Sequence, residues 1–341
     1  MQHFDSDYME GACPEILKRL VETNLEKTPG YGMDPYSEQA KKKIRKACGR
    51  PDAEIFFLIG GTQTNETVIT SLLRPYEGVI AAETGHVNTH EAGAIEHGGH
   101  KVLTVKPENG KVTAGSVRAL YEKFENDANH EHEVRPGMVY LSHPTEYGTL
   151  YTKAELKELH DVCREYGMFL FLDGARLGYG LTAPGTDVFL PDIAALTDVF
   201  YIGGTKVGAL FGEAVVFPTP GLIPHFFTLT KQHGALLAKG RITGLQFDTL
   251  FMDDLYFRIS RHAVDMAMKI RKGLESRGYR IYIDSPTNQQ FTVVTKKKAE
   301  ELSKNVTYGF MEELDEEHIV IRFCTSWATR EEDVDELLKL L

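Results

Sequence analysis

Residues 198–212 read DVFYIGGTKVGALFG, and Lys206 is the only cation in that run. Lysine is among the side chains least often fully buried, because an unpaired ammonium is expensive to remove from water. A desolvated lysine has a lowered pKa, and its neutral amine can condense with a carbonyl. The plainer alternative is a packed stem whose ammonium snorkels to solvent. Thirty-three positions earlier (206 − 173), Asp173 ends the apolar run MFLFLD and begins DGARLGYG. A carboxylate buried at a strand end needs a cationic or hydrogen-bonding partner, and a protonated ring nitrogen would serve. Arg176 follows three residues later, so an Asp173–Arg176 pair that merely caps the strand is the competing reading.

A third motif, GGTQTN at 60–65, lies between an apolar run and a helix-period segment. Gly60 and Gly61 let the backbone approach a ligand closely, N–H groups at a helix start favour an anion, and Thr62 adds a hydroxyl. No Gly-Lys-Ser/Thr follows, so this is not a nucleotide P-loop, and a plain strand-to-helix turn with a threonine cap explains it equally well in isolation. Together the motifs supply an anion cradle, a carboxylate for a pyridine nitrogen and an amine for an aldehyde. Those are the requirements of pyridoxal 5'-phosphate, whose ring accepts electrons from a substrate's Cα.

Such residues must be positioned by a scaffold, and the pattern of the chain provides one. The β-rich runs EIFFLI, GVIAA, KVLTV, GMVYLS, MFLFLD, VFYIG and EAVVF alternate with helix-period segments such as TAGSVRALYEKF and TKAELKELHDVCREY. That alternation predicts an α/β fold, a mostly parallel sheet sandwiched by helices. Several runs lack polar alternation, as strands covered on both faces do. All three motifs fall at predicted strand ends, where open α/β sheets bind ligands. From about residue 221 the chain turns helical, then gives short strands and a final helix, which predicts a small α+β C-terminal domain. The expected division is an N-terminal segment at 1–50, a large domain at 51–250 and a small domain at 251–341. The polar segment 124–137, which contains His130 and His132, reads as a surface loop.

Composition narrows the function. The net charge of −11 without a long basic stripe argues against nucleic acid or an anionic membrane as partner. No apolar run reaches the ~20 residues that span a bilayer, and no secretory leader is visible. The four cysteines, Cys13, Cys48, Cys163 and Cys324, are widely spaced without CxxC, which suits free thiols in a reducing cytoplasm.

The set GGTQTNETV, ETGHVNTHEAGAIE, FLDGARLGYG and YIGGTKVGALFGEA resembles the fold-type I pyridoxal-phosphate enzymes, and within them the threonine aldolase and β-eliminating lyase family. The resemblance runs from about residue 5 to the C-terminus. It implies that Lys206 is the cofactor lysine, Asp173 the acid at the pyridine nitrogen, Arg176 an arginine lining the substrate pocket, and Gly61 and Thr62 the phosphate turn. It implies further that His86 stacks on the ring. Ser6 and Arg322 would contact the substrate carboxylate, and Tyr31 would reach across a dimer interface. An arginine fork suits a carboxylate on physical grounds too, although an ion pair between Arg322 and the acidic run EELDEE at 312–317 competes.

His86 and His90 are spaced i, i+4, with Glu91 beside them, so zinc competes for the same residues. The order HVNTHE is not that of a zinc protease, and no metal ligand is assigned. Where the family often carries a second catalytic histidine in an ENTHN-like motif, this chain has SHPTEYGT at 142–149, with His143 displaced. The arginine of a GGGMRQ-like segment is missing as well, leaving Lys239 or Arg241 as substitutes near the phosphate. The expected activity is retro-aldol cleavage of a β-hydroxy-α-amino acid of the threonine type to glycine and an aldehyde. His86 is the expected base, directly or through water, and His143 the reserve. β-Elimination or transamination on another amino acid is the second reading, and a non-catalytic binder of a phosphorylated metabolite the third. The resemblance also implies a homodimer or homotetramer with shared active sites, and the separated cysteines point to the cytoplasm.

Overall fold

The computed structural model describes residues 1–341. Twelve strands form two sheets: β1 (Gln2–Phe4), β2 (Glu54–Leu58), β3 (Glu77–Ala82), β4 (Val102–Val105), β5 (Arg135–Ser142), β6 (Phe169–Asp173), β7 (Val199–Gly203), β8 (Glu213–Phe217), β9 (Arg280–Ile281), β10 (Gln289–Thr295), β11 (Val306–Glu313) and β12 (His318–Cys324). The larger sheet has the order β2-β8-β7-β6-β5-β3-β4, with β8 antiparallel to both of its neighbours and the other pairs parallel. All seven predicted runs are its strands, and the expected mostly parallel sheet flanked by helices is present.

Successive residues of these strands enter different cores. Leu170, Leu172, Phe200 and Ile202 join one buried cluster, while Phe171, Val199, Tyr201 and Val215 join the cluster on the other face. Apolar side chains are thus required at every position, which is why polar alternation was missing from the sequence. Helices Gly61–Leu72, Ala114–Asn126 and Lys153–Tyr166 connect the strands. The last two begin with threonine caps, Thr113 and Thr152, each reciprocated by the third helical residue.

The smaller sheet has the order β1-β11-β12-β10-β9. Its first strand comes from the extreme N-terminus and pairs in parallel with β11. This brings residues 5–7 to the junction of the two sheets. The segment 124–137 is less irregular than predicted: a helix runs to Asn126, a short turn of 3-10 helix covers His130–His132, and β5 begins at Arg135.

Candidate active site

The C-terminal ends of β5, β6 and β7 and the start of helix Gly61–Leu72 surround a small cavity. Lys206, Asp173, Arg176, His86, Gly61 and Glu146 border it. Lys206 sits in the turn between β7 and β8, which Gly212 closes by accepting from the N–H groups of Gly204 and Thr205 at 3.0 and 3.2 Å. Behind the turn, Glu213 accepts from Thr205 Oγ1 at 2.7 Å and from the Gly204 N–H at 3.1 Å. Burial, and then the charge of Arg176, push the Lys206 ammonium below its ordinary pKa, while Asp7, Asp173 and Glu213 oppose them. Burial also raises the Glu213 carboxyl.

Asp173, the last residue of β6, is buried and rich in donors. Tyr140 Oη donates to Oδ2 at 2.6 Å, Asn65 Nδ2 donates to Oδ2 at 3.0 Å, and the Ala175 N–H donates to Oδ1 at 2.9 Å. Burial alone would raise this acid. The neighbouring His86 and the hydrogen bonds outweigh it and hold the carboxyl below its usual value. A carboxylate has about four lone-pair sites, so three donors still leave room for a ring N–H. Arg176 does not pair with Asp173, contrary to the strand-capping alternative.

Arg176 instead grips Asp7 from the N-terminal segment, with Nε to Oδ2 at 2.7 Å and Nη2 to Oδ1 at 2.9 Å. Two residues earlier, the Asp5 carbonyl accepts from Arg322 Nη2 at 2.7 Å, and Gln289 Oε1 takes Arg322 Nη1 at 3.0 Å. Arg322 therefore faces the N-terminal segment, away from the acidic run at 312–317. Ser6 lies between these two anchors. Its Oγ and Arg322 Nε are both buried with no hydrogen-bond partner in the chain. Unmade buried bonds of this kind are costly and mark positions for a ligand's acceptor atoms.

His86 opens a short helix, His86–Thr89, after β3. Its Nδ1 lies 2.7 Å from Glu91 Oε1, and the same oxygen accepts from Asn65 Nδ2 at 2.7 Å. Glu91 is fully buried, so it fixes the imidazole and links it through Asn65 to Asp173. Thr62 is exposed at the helix start, and the N–H groups of Gly61, Thr62 and Gln63 have no acceptor within the chain. Amine, shielded carboxylate, unpaired N–H groups and orphaned donors fit pyridoxal phosphate and an amino-acid carboxylate.

Other expected residues lie elsewhere. His143 faces inward: it is fully buried, burial lowers its imidazole pKa to about 4, and its neighbours Pro144 and Thr145 border the cavity in its place. It is therefore not placed as the reserve base. Tyr31 is exposed and lines a separate apolar groove with Met33, Phe57 and Phe227. Arg241 donates to the Thr23 carbonyl at 2.7 Å, and Lys239 borders a surface recess near Asn24. None of these three borders this chain's cavity. Sequence reasoning missed Asp7, Asn65, Glu91 as a partner of His86, Tyr140, Glu146 and Glu213. Of these, Asn65, Glu91, Glu146 and Glu213 stood inside motifs already singled out.

The model of the beta-eliminating lyase family matches residues 3–297. The chain is 32% identical over 339 residues to a low specificity L-threonine aldolase of a Pseudomonas species, covering 98% of this chain and 96% of that protein. It is 34% identical over 264 residues to the low specificity L-threonine aldolase of Pseudomonas aeruginosa, covering 77% and 75% respectively. Among solved structures, a threonine aldolase of Leishmania major is similar with a TM-score of 0.96 at 41% identity, over 100% of this chain and 98% of that one. An aspartate aminotransferase of Thermus thermophilus shares the fold, with a TM-score of 0.73 at 16% identity over 100% and 90% of the two chains.

Proposed function

The chain belongs to the beta-eliminating lyase family, and from that premise we propose that it is a pyridoxal-phosphate-dependent carbon–carbon lyase. Its substrate is a β-hydroxy-α-amino acid such as threonine or allo-threonine, and its products are glycine and an aldehyde. The observation that carries this reading is the placement of Lys206 and Asp173 on the wall of one cavity.

Lys206 and Asp173 would hold the cofactor at its carbonyl and ring nitrogen, and the N–H groups of Gly61 and Thr62 would hold its phosphate. Bound there, pyridoxal phosphate would supply an electron-accepting ring for the charge that develops at the substrate's Cα. Asp173, kept ionised by its donors, holds a proton on the ring nitrogen. Arg176, Arg322 and Ser6 would grip the substrate carboxylate, and a grip at two or three points fixes the orientation of the bonds at Cα. The amine of Lys206, its pKa lowered by burial and Arg176, is placed to take up and return a proton at Cα. The β-hydroxyl proton needs an acceptor on the wall, and His86, aimed by Glu91, is the residue expected from the sequence.

Incubation of cofactor-loaded protein with L-threonine and L-allo-threonine tests the activity. Glycine is the expected product, and its absence with both substrates overturns the reading. Pyruvate and ammonia from a β-substituted amino acid would instead establish elimination. A passive phospho-metabolite binder leaves Lys206 and Asp173 without a role.

The assembly belongs to the same proposal: a homodimer or homotetramer in the cytoplasm, in which Tyr31 and either Lys239 or Arg241 reach a neighbouring subunit's site. The exposed Tyr31, Met33 and Phe227 around an apolar groove support it. Light scattering that returns a monomer at working concentration would remove this part. No helix is long and apolar enough to cross a membrane.

A further inference from the structure

One acid on the cavity wall has no part in the reading above. Glu146 follows β5 within SHPTEYGT, the segment in which this chain departs from the histidine-bearing pattern. Its Oε1 accepts from Ser142 Oγ at 2.7 Å and from the His86 N–H at 2.9 Å. No other residue donates to Oε2. Ser142 is the register partner of Asp173 across β5 and β6, so the carboxyl is anchored at the strand end that carries the ring-nitrogen acid. A carboxylate with one oxygen pinned by two donors and the other left free is an oriented proton acceptor.

The charge around it suits that role. Desolvation raises the Glu146 carboxyl above its ordinary value; Asp173 adds to the shift, while Ser142, its own backbone N–H and the His86 N–H oppose it. The other titratable groups that feel it are Tyr140, Tyr147 and Tyr151, all of which stay protonated because burial raises them. A base works best when its pKa approaches the operating pH, and this acid is moved in that direction. His86, by comparison, has one ring nitrogen committed to Glu91.

Resting on the aldol reading above, we propose that Glu146 is a catalytic residue whose Oε2 is the direct acceptor of the substrate's β-hydroxyl proton, with His86 acting at one remove by holding Oε1. The hydroxyl O–H bond breaks and its proton passes to Glu146. The oxygen's electron pair forms the aldehyde C=O, and the pair of the Cα–Cβ bond stays with Cα. Cα then takes a proton to give glycine, and Glu146 returns its own to solvent once the aldehyde has left. No oxidant or reductant is needed.

The test is Glu146→Gln in the loaded enzyme, followed through two reactions. Glycine formation from L-allo-threonine should lose on the order of 10²- to 10⁴-fold in kcat, with KM near the wild-type value. Exchange of glycine's α-proton in D₂O uses no β-hydroxyl and should keep its wild-type rate. Glu146→Asp, which retains a carboxyl, should recover part of the cleavage rate. In cofactor-free protein labelled with ¹³C-glutamate, the carboxyl signal lost in Glu146→Gln should titrate above those of surface glutamates. Wild-type cleavage by Glu146→Gln overturns the proposal, as does equal loss of cleavage and exchange, which would mark a structural role. Wild-type protein that exchanges glycine but forms none from either threonine overturns the aldol reading itself, and this proposal with it.

Discussion

Asp7 and Arg176, 169 residues apart in sequence, meet in a two-pronged ion pair whose carboxylate is fully buried. Asn288 Nδ2 adds a third hydrogen bond at 2.9 Å. The pair joins the N-terminal segment to the end of β6, so the arginine expected to meet substrate is oriented before substrate arrives. Removing one partner of a buried pair costs about 3–5 kcal/mol, because the other charge is left uncompensated.

Asp7→Asn should therefore lower the unfolding free energy by roughly that amount and raise KM for the amino acid more than it lowers kcat. Burial opposes ionisation of Asp7, but Arg176 and Lys206 outweigh it and keep the carboxyl below its ordinary value. Its contribution is thus complete above the unfolded-state pKa of about 3.9 and disappears as pH falls through the lower folded value. Denaturation from pH 7 down to acid should show the difference between wild type and variant shrinking below about pH 4. A constant difference would contradict the assignment.

Lys206 should be the first lysine of the cofactor-free protein to react with a carbonyl reagent as pH rises, since burial and Arg176 lower its pKa. Borohydride trapping followed by peptide mapping gives the pH of half-labelling at each lysine. Lys206→Ala should lose the trapped pyridoxal-phosphate adduct, and an adduct persisting on the same peptide would contradict it.

Glu91→Ala leaves the donors of His86 and Asn65 without their shared acceptor, at a cost of about 1–3 kcal/mol. Cleavage should slow by at least about tenfold, equivalent to 1.4 kcal/mol in the barrier. Glu91→Gln, which retains an acceptor oxygen, should recover most of the stability in a denaturant titration. Unchanged kcat in both variants would leave Glu91 a purely structural residue.

Gly174→Ala tests how closely β6 and β7 must approach. A Cβ at Gly174 would lie 1.9 Å from the Tyr201 carbonyl oxygen, and one at Gly203 would lie 2.4 Å from that of Ala175. Backbone cannot yield as a flexible side chain can, so the loss should reach or exceed the ~1–3 kcal/mol typical of overpacking. A wild-type urea midpoint would show that the strand ends can separate freely.

Much of the scaffold was legible because its signals are local. The seven apolar runs and the strand-ending FLDGAR and GGTK motifs each occupy a few consecutive residues. The sequence therefore determined the sheet, the positions of Lys206, Asp173, Gly61 and Arg176, and the cofactor class that those residue types can serve. Side-chain direction was not determined. His143 and Glu146 stand three residues apart in the same irregular segment, and nothing local says that the histidine turns into the core while the acid faces the cavity. Nor does the run around Ser6 announce that Asp7 will meet Arg176, or HVNTHE that Glu91 will meet His86. Those choices follow from contacts between residues distant in the chain, whose energies exist only once both sheets have assembled. Tertiary packing alone decided which buried polar groups found partners and which were left facing a ligand.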